Sequence, residues 1–377
     1  MKLEHEFYKL PLSFDVEKLQ QEVSQLTESD WHAHHEGFKG NIAVPLLSVG
    51  GGINNEFKGA IAKTAALEKL PYIKQVLASF NEVFGRSRLM ALEPGCSVPP
   101  HSDINYHWYK RVRIHIPITT TPDVIFSCHD KQVHMAAGEC WIFDSWKNHN
   151  VENNSSIRRI HLVVDTMGSS NFWNMIDNSE VPGLKSANQA TKFIAFDPAL
   201  QPQILTERYS IPVVLSAAEI DSLINDLIME VKSNPNNDIN DISVFEKILK
   251  DFTLDWRRLW TLYDVTEDGW PHYHELRDKT YNLAKIFEEK LRLINDGNAL
   301  QMLIHCIIDP ALNPEAVLQK ENLAQPISKP IAKATEKPIA KNKSEPSKSA
   351  EGVVPVSRNS PCQCGSGKKF KQCCGIL

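Results

Sequence analysis

The sequence predicts an α+β chain in which the first 200 residues form an antiparallel β-sandwich or barrel. A mainly helical unit and a small cysteine knuckle follow. Three observations carry this prediction. Short strand-type runs separated by turn residues fill the first half of the 377 residues. From about residue 203 the apolar period becomes that of helices. Four of the eight cysteines crowd into the last sixteen residues.

The strand-type runs are "RLMALE" (88–93), "RVRIHIPI" (111–118), "DVIFSC" (123–128), "KQVHMA" (131–136), "ECWIFD" (139–144) and "RRIHLVVD" (158–165). Their spacing suits a closed or two-layered antiparallel fold. Helices are expected around 16–27 and 59–84, which makes 1–200 the first domain. In the second, 203–320, Ser216 and Glu219 have capping-box spacing, and Ile220, Leu223, Ile224, Leu227, Ile228 and Val231 mark one helical face. "YNLAKIFEEKLRLIN" (281–295) reads as another amphipathic helix. His272 and His274 stand two apart with no third ligand nearby, so they are expected to be surface or structural histidines. Residues 324–360 contain no Trp, Tyr or Phe and repeat "KPIAK", a composition that predicts a flexible, positively charged linker. The knuckle occupies 361–377.

A chain of this length accommodates two or three domains, and 42% hydrophobic residues suffice for a sizeable core. The net charge of −5 and pI near 6.3 give no sign of sequence-specific nucleic-acid binding. The start, "MKLEHEFYKLPLSFD", lacks the apolar stretch of a signal peptide, and no run reaches the roughly 18 apolar residues a membrane span needs. A cytoplasmic protein is expected. The uneven layout of the cysteines fits a metal knuckle better than a disulfide framework.

The chemistry centres on "EPGCSVPPHSDINYHWYKRVRIHIPI" (93–118) and "GECWIFDSWKNHNVENNSSIRRIHLVVD" (138–165). His101 and Asp103 stand one residue apart, and His149 falls in a loop between later strands. Two imidazoles and one carboxylate occupy one face of an octahedral Fe(II) and leave the other positions open. Residues so far apart converge only on a rigid scaffold. Such an iron site needs an electron source, commonly 2-oxoglutarate, whose far carboxylate calls for a buried arginine. Arg158 and Arg159 both lie a short strand beyond His149, and alternation chooses between them. Arg158 shares a face with Ile160, Leu162 and Val164, whereas Arg159 shares one with His161 and Asp165, so Arg159 is expected inside. The same parity puts Arg113 and His115 together on the inward face. Tyr106, His107, Trp108 and Trp146 flank the ligands and are candidates for the pocket wall or for packing. The competing reading is a set of surface loop residues with ordinary salt bridges.

"EPGCSVPPHSD", the R-x-R-x-H of "RVRIH", "GECWIFD" and the later "RIHLVVD" resemble the aspartyl/asparaginyl β-hydroxylase family over roughly residues 30–168. The resemblance implies a double-stranded β-helix and an Fe(II)- and 2-oxoglutarate-dependent dioxygenase. It further implies iron at His101 and His149, 2-oxoglutarate at Arg159, and co-substrate contacts from Arg113 and His115. The vertebrate enzyme that names the family lacks the carboxylate ligand, whereas Asp103 stands here in the position of a full triad. The family also includes hydroxylases of free amino acids such as proline.

"NSPCQCGSGKKFKQCCG" (359–375) has the form C-x-C-x8-C-C. Four thiolates at Cys362, Cys364, Cys373 and Cys374 would close a tetrahedral Zn(II), whose binding must supply the folding free energy of so small a segment. A pair of disulfides is the competing reading. The segment resembles the SEC-C motif at the end of the preprotein translocase ATPase, which implies contact with an export factor or the ribosome. Lys368, Lys369 and Lys371 suit an acidic protein surface or ribosomal RNA.

The expected function is therefore a hydroxylase of an Asp, Asn or similar residue in a protein or peptide partner. Hydroxylation of a free amino acid such as proline is the first alternative. A non-catalytic adaptor to the ribosome or to export factors is the second.

Overall fold

A computed structural model describes residues 1–34, 37–316, 362, 368 and 369. The linker at 324–360 and Cys364, Cys373 and Cys374 lie outside the described residues.

The strands in chain order are β1 (Phe7–Phe14), β2 (His32–Ala33), β3 (Asn41–Val49), β4 (Ile61–Lys63), β5 (Val83–Leu92), β6 (Ser97–His101) and β7 (Val112–Thr119). They continue with β8 (Val124–Cys128), β9 (Lys131–Val133), β10 (Glu139–Phe143), β11 (His149–Asn153), β12 (Arg159–Thr166), β13 (Lys192–Ile194) and β14 (Leu205–Thr206). A large sheet in the order β13-β1-β10-β7-β12-β5-β3-β2 faces a small one in the order β6-β11-β8-β9. Two such sheets, mostly antiparallel, make the double-stranded β-helix.

Alternation decides what each face of the large sheet buries. Ile114, Ile116, Leu162 and Val164 point away from the small sheet, into a core shared with Leu19 and Val23 of one helix and Ile73, Val76 and Leu77 of another. The opposite face carries Arg113, His115, Arg159 and Asp165 toward the cavity between the sheets. Antiparallel registers Val163↔His115 and Asp165↔Arg113 fix the two sets beside each other.

Several elements differ from the sequence expectation. The helix expected over 16–27 stops at Val23. The expected 59–84 helix is instead β4, a short helix Ala65–Glu68 capped by Thr64, and a second helix Pro71–Ser79. Pro71 opens that second helix, because its missing N–H costs nothing in a first turn. β9 ends at Val133, short of the run to 136. Strands β1 and β3 and the helix Ile239–Tyr263 were not anticipated.

The helical unit packs Ala217–Ser233, Ile239–Tyr263 and Trp270–Ala284 around Leu227, Leu249, Phe252, Trp256 and Tyr273. Tyr106 and Trp146 of the barrel are part of the same apolar cluster. The helix expected over 281–295 does not form as such. Trp270–Ala284 ends in the 3-10 turn Lys285–Phe287, and the chain beyond it is held by side chains of the loop between Ala217–Ser233 and Ile239–Tyr263. Asn234 Nδ2 donates to the Leu293 carbonyl at 2.8 Å, and Arg292 N–H donates to Asn237 Oδ1 at 2.9 Å. Ser216 caps its helix by accepting from Glu219 N–H, yet the Glu219 carboxylate turns to the barrel. There it accepts from Tyr106 (2.6 Å) and Lys110 (2.7 Å). Among the described residues no helix is long and apolar enough to cross a membrane.

Candidate active site

His149 opens β11 directly opposite His101 at the end of β6, so the two rings meet across one antiparallel pair with centroids 4.3 Å apart. Asp103 follows in a loop pinned by its N–H to the Ser145 carbonyl at 2.9 Å. Its Oδ1 lies 4.0 Å from His101 Nε2 and its Oδ2 3.9 Å from His149 Nε2. One ligand atom from each of the three falls within 4.8 Å of the others.

Both imidazoles are oriented by the backbone. His101 Nδ1 is 2.9 Å from the Pro99 carbonyl and His149 Nδ1 is 2.9 Å from the Lys147 carbonyl. A carbonyl only accepts, so each Nδ1 carries the proton and each Nε2 keeps its lone pair for a metal. Burial lowers the His149 pKa to about 4, which keeps that ring neutral. Asp103 Oδ2 is buried without an aligned hydrogen-bond donor, although Arg113 Nη1 stands 3.2 Å away as its ion-pair partner. Two imidazole nitrogens and a carboxylate oxygen with unused acceptor capacity fit an Fe(II) ion.

Deeper in the cavity, which measures about 90 Å³, lies Arg159 at the start of β12. It is 4% exposed and donates through Nη2 to His161 Nδ1 at 2.8 Å, and its Nε has no partner. Among the described residues no carboxylate lies within ion-pair reach of it. Burial pulls its pKa down to about 9. His115 and His161 are held well below the ordinary imidazole pKa by burial and then by the Arg159 charge. A buried cation flanked by neutral rings fits a dianionic co-substrate such as 2-oxoglutarate. Arg158, by contrast, points out to Glu28 and Glu93.

Arg113 bridges two acids, reaching Asp103 and, through Nε at 3.5 Å, Asp165, while its guanidinium lies 4.6 Å from the centroid of the Trp108 ring. Burial alone would raise the Asp165 pKa, but the His107 hydrogen bond (3.0 Å) and the Arg113 charge bring it to about 2. Trp108 lines the cavity, whereas Tyr106 and Trp146 belong to the helical core. His274 is buried and stands 3.8 Å from Asp278, and His272 stacks on Tyr263. Cys362 is buried, with its N–H donating to the Lys368 carbonyl at 2.7 Å. Arg86 and Arg88 of β5 also line the cavity and were not singled out from sequence. Arg86 lies 4.1 Å from the centroid of the Phe57 ring, and Arg88 contacts His34 at 3.3 Å. The signal was their period of two in "GRSRLMALE".

Two sheets with two histidines and an aspartate gathered at one end make a double-stranded β-helix that carries a candidate three-ligand metal site. Residues 14–168 match the family described as aspartyl/asparaginyl beta-hydroxylase, and residues 358–376 match the SEC-C motif. The L-proline cis-4-hydroxylase of Rhizobium meliloti is 24% identical over 179 residues, covering 45% of this chain and 64% of that protein. The protein translocase subunit SecA of Acetivibrio thermocellus is 29% identical over 105 residues, covering 28% of this chain and 10% of that one. Thus the chain spans just under two thirds of the first relative and a tenth of the second. A solved prolyl-4-hydroxylase from Pseudomonas putida aligns at 12% identity and TM-score 0.30, over 43% of this chain and 92% of that one.

Proposed function

We propose that the barrel hydroxylates an Asp, Asn or similar residue of a protein partner, with iron held by His101, Asp103 and His149 and 2-oxoglutarate held by Arg159. The observation that carries this reading is the convergence of three candidate ligands beside a buried arginine that has no counter-charge among the described residues. Bound iron and 2-oxoglutarate supply the oxidising power to place an oxygen atom in an unactivated C–H bond. The chain's own residues orient and exclude. The Pro99 and Lys147 carbonyls fix both imidazoles, and Arg113 steadies Asp103. His115 lies beside the co-substrate end, and Phe126 and Phe143 keep water from the buried face of His149.

Zinc at Cys362, Cys364, Cys373 and Cys374 belongs to the same proposal. So does a division into 1–200, 203–320, 324–360 and 361–377, with the last unit docking on an export factor or the ribosome. The relatives' SecA identity supports that docking. A second reading, hydroxylation of a free amino acid, is supported by the likeness to a proline hydroxylase.

The test is oxygen-dependent turnover of 2-oxoglutarate by the full chain, with mass spectrometry of candidate peptides and of free amino acids. One added oxygen on a peptidyl Asp or Asn is the expected result. Modification of free proline alone would replace the first reading with the second. No iron-dependent turnover of any substrate, with the chain still captured by ribosomes or export factors, would leave the adaptor.

A further inference from the structure

A second cavity, of about 250 Å³, lies where the barrel meets the helical unit, and the hydroxylase reading makes no use of it. Phe57 and Arg111 border it from the barrel, and Ile211, Arg277 and Leu312 from the other side. The two arginines differ sharply. Arg111 is satisfied, with Nε and Nη2 each 2.7 Å from a Glu207 oxygen. Arg277 is not. Its side chain is 7% exposed, its Nε and Nη1 have no hydrogen-bond partner among the described residues, and Asp309 Oδ1 stands 3.7 Å from Nη2. That distance is too long for a hydrogen bond.

Asp309 supplies a counter-charge at ion-pair distance but accepts no hydrogen bond, and burying guanidinium donors without an acceptor is costly, so a further carboxylate would satisfy Nε and Nη1. The planar fork of arginine matches a carboxylate. Lys58, His305, Asp309 and Glu315 also line the cavity, while Phe57, Ile211 and Leu312 give part of the wall an apolar character that a bare inorganic ion would not use. We propose that this junction cavity binds a small carboxylic acid with an apolar body, its carboxylate held by Arg277.

Calorimetry on the full chain would use benzoate as the probe, without oxygen and with saturating Fe(II) and 2-oxoglutarate so that the barrel site is already filled. Saturable benzoate binding is expected, with benzamide and the Arg277→Gln variant each at least about tenfold weaker, as loss of one charge-assisted hydrogen bond requires. Should Arg277→Gln fail to fold, Ile211→Trp fills the cavity from its half-buried wall and should remove binding while keeping Arg277. No benzoate binding, equal binding of benzamide, or binding unchanged in the variants would overturn the proposal. Binding of inorganic phosphate but not benzoate would overturn it as well.

Discussion

The barrel and the helical unit are both well buried, but they bury different things. The helical unit closes around Leu227, Leu249, Phe252 and Trp256, with Trp256 donating its indole N–H to the Leu215 carbonyl. The barrel encloses Asp103, His115, His149, Arg159, His161 and Asp165. Desolvating such groups costs several kcal/mol each unless they are paired, so a fold selected only for stability would fill that space with aliphatic side chains. The contrast repeats between two buried arginines. Arg111 is matched by Glu207 and serves structure, whereas Arg159 has no acid within ion-pair reach among the described residues, as the proposed co-substrate site requires.

The largest effect that could break this comparison lies at the proposed metal ligands. His101→Ala, Asp103→Ala and His149→Ala should each abolish the charge-transfer absorption of the anaerobic Fe(II)–2-oxoglutarate complex and bring turnover to background. Wild-type absorption in all three would remove the triad. Arg159→Ala should keep iron but weaken 2-oxoglutarate binding by about 3–5 kcal/mol, read by titration, because it leaves a buried carboxylate uncompensated. Trp256→Ala should cost a similar 3–5 kcal/mol of stability. It should leave co-substrate affinity of the folded fraction unchanged, and a parallel loss of affinity would erase the distinction between the two interiors.

A smaller effect is pH-dependent. The folded-state pKa of His149 is depressed from 6.5 to about 4 by burial. The unfolded chain therefore takes up a proton before the folded one as pH falls. Stability of the metal-free protein should rise with pH between about 4 and 6.5, by up to about 3 kcal/mol from this group. Chemical denaturation across that window checks it, and His149→Gln should flatten the slope. Last, Arg158→Ala should change stability and 2-oxoglutarate affinity by under about 1 kcal/mol, since its partners are solvent-facing. A large loss of affinity there would reverse the assignment of inside and outside on β12.

Much of the site was legible because β12 alternates strictly: Arg159, His161 and Asp165 share a face in the sequence as they do in the fold. The H-x-D pair was visible as a local spacing, but its partner His149 depended on a cross-strand register that no local pattern encodes. β1 and β3 escaped notice because Pro11 and Pro45 interrupt their apolar runs. The helical pattern of 281–295 misled because Leu291 and Leu293 are buried in the same apolar core without being on a helix. Arg86 lies outside the run "RLMALE", because the strand begins at Val83, five residues before Arg88.

The loop bearing Asp103 is clasped from outside the barrel. Ile104, its neighbour, packs into the helical core, and a methyl group added at Gly297 would fall 2.7 Å from the Ile104 Cδ1 atom. Two of the three ligands are thus anchored by a sheet and the third by a joint between two folded units. On the proposed ligand set, iron affinity would gauge how well that joint is closed. A chain shortened before Ser216 should keep the facing histidines yet hold iron loosely, as expected if the helical unit walls the third side of the proposed metal site.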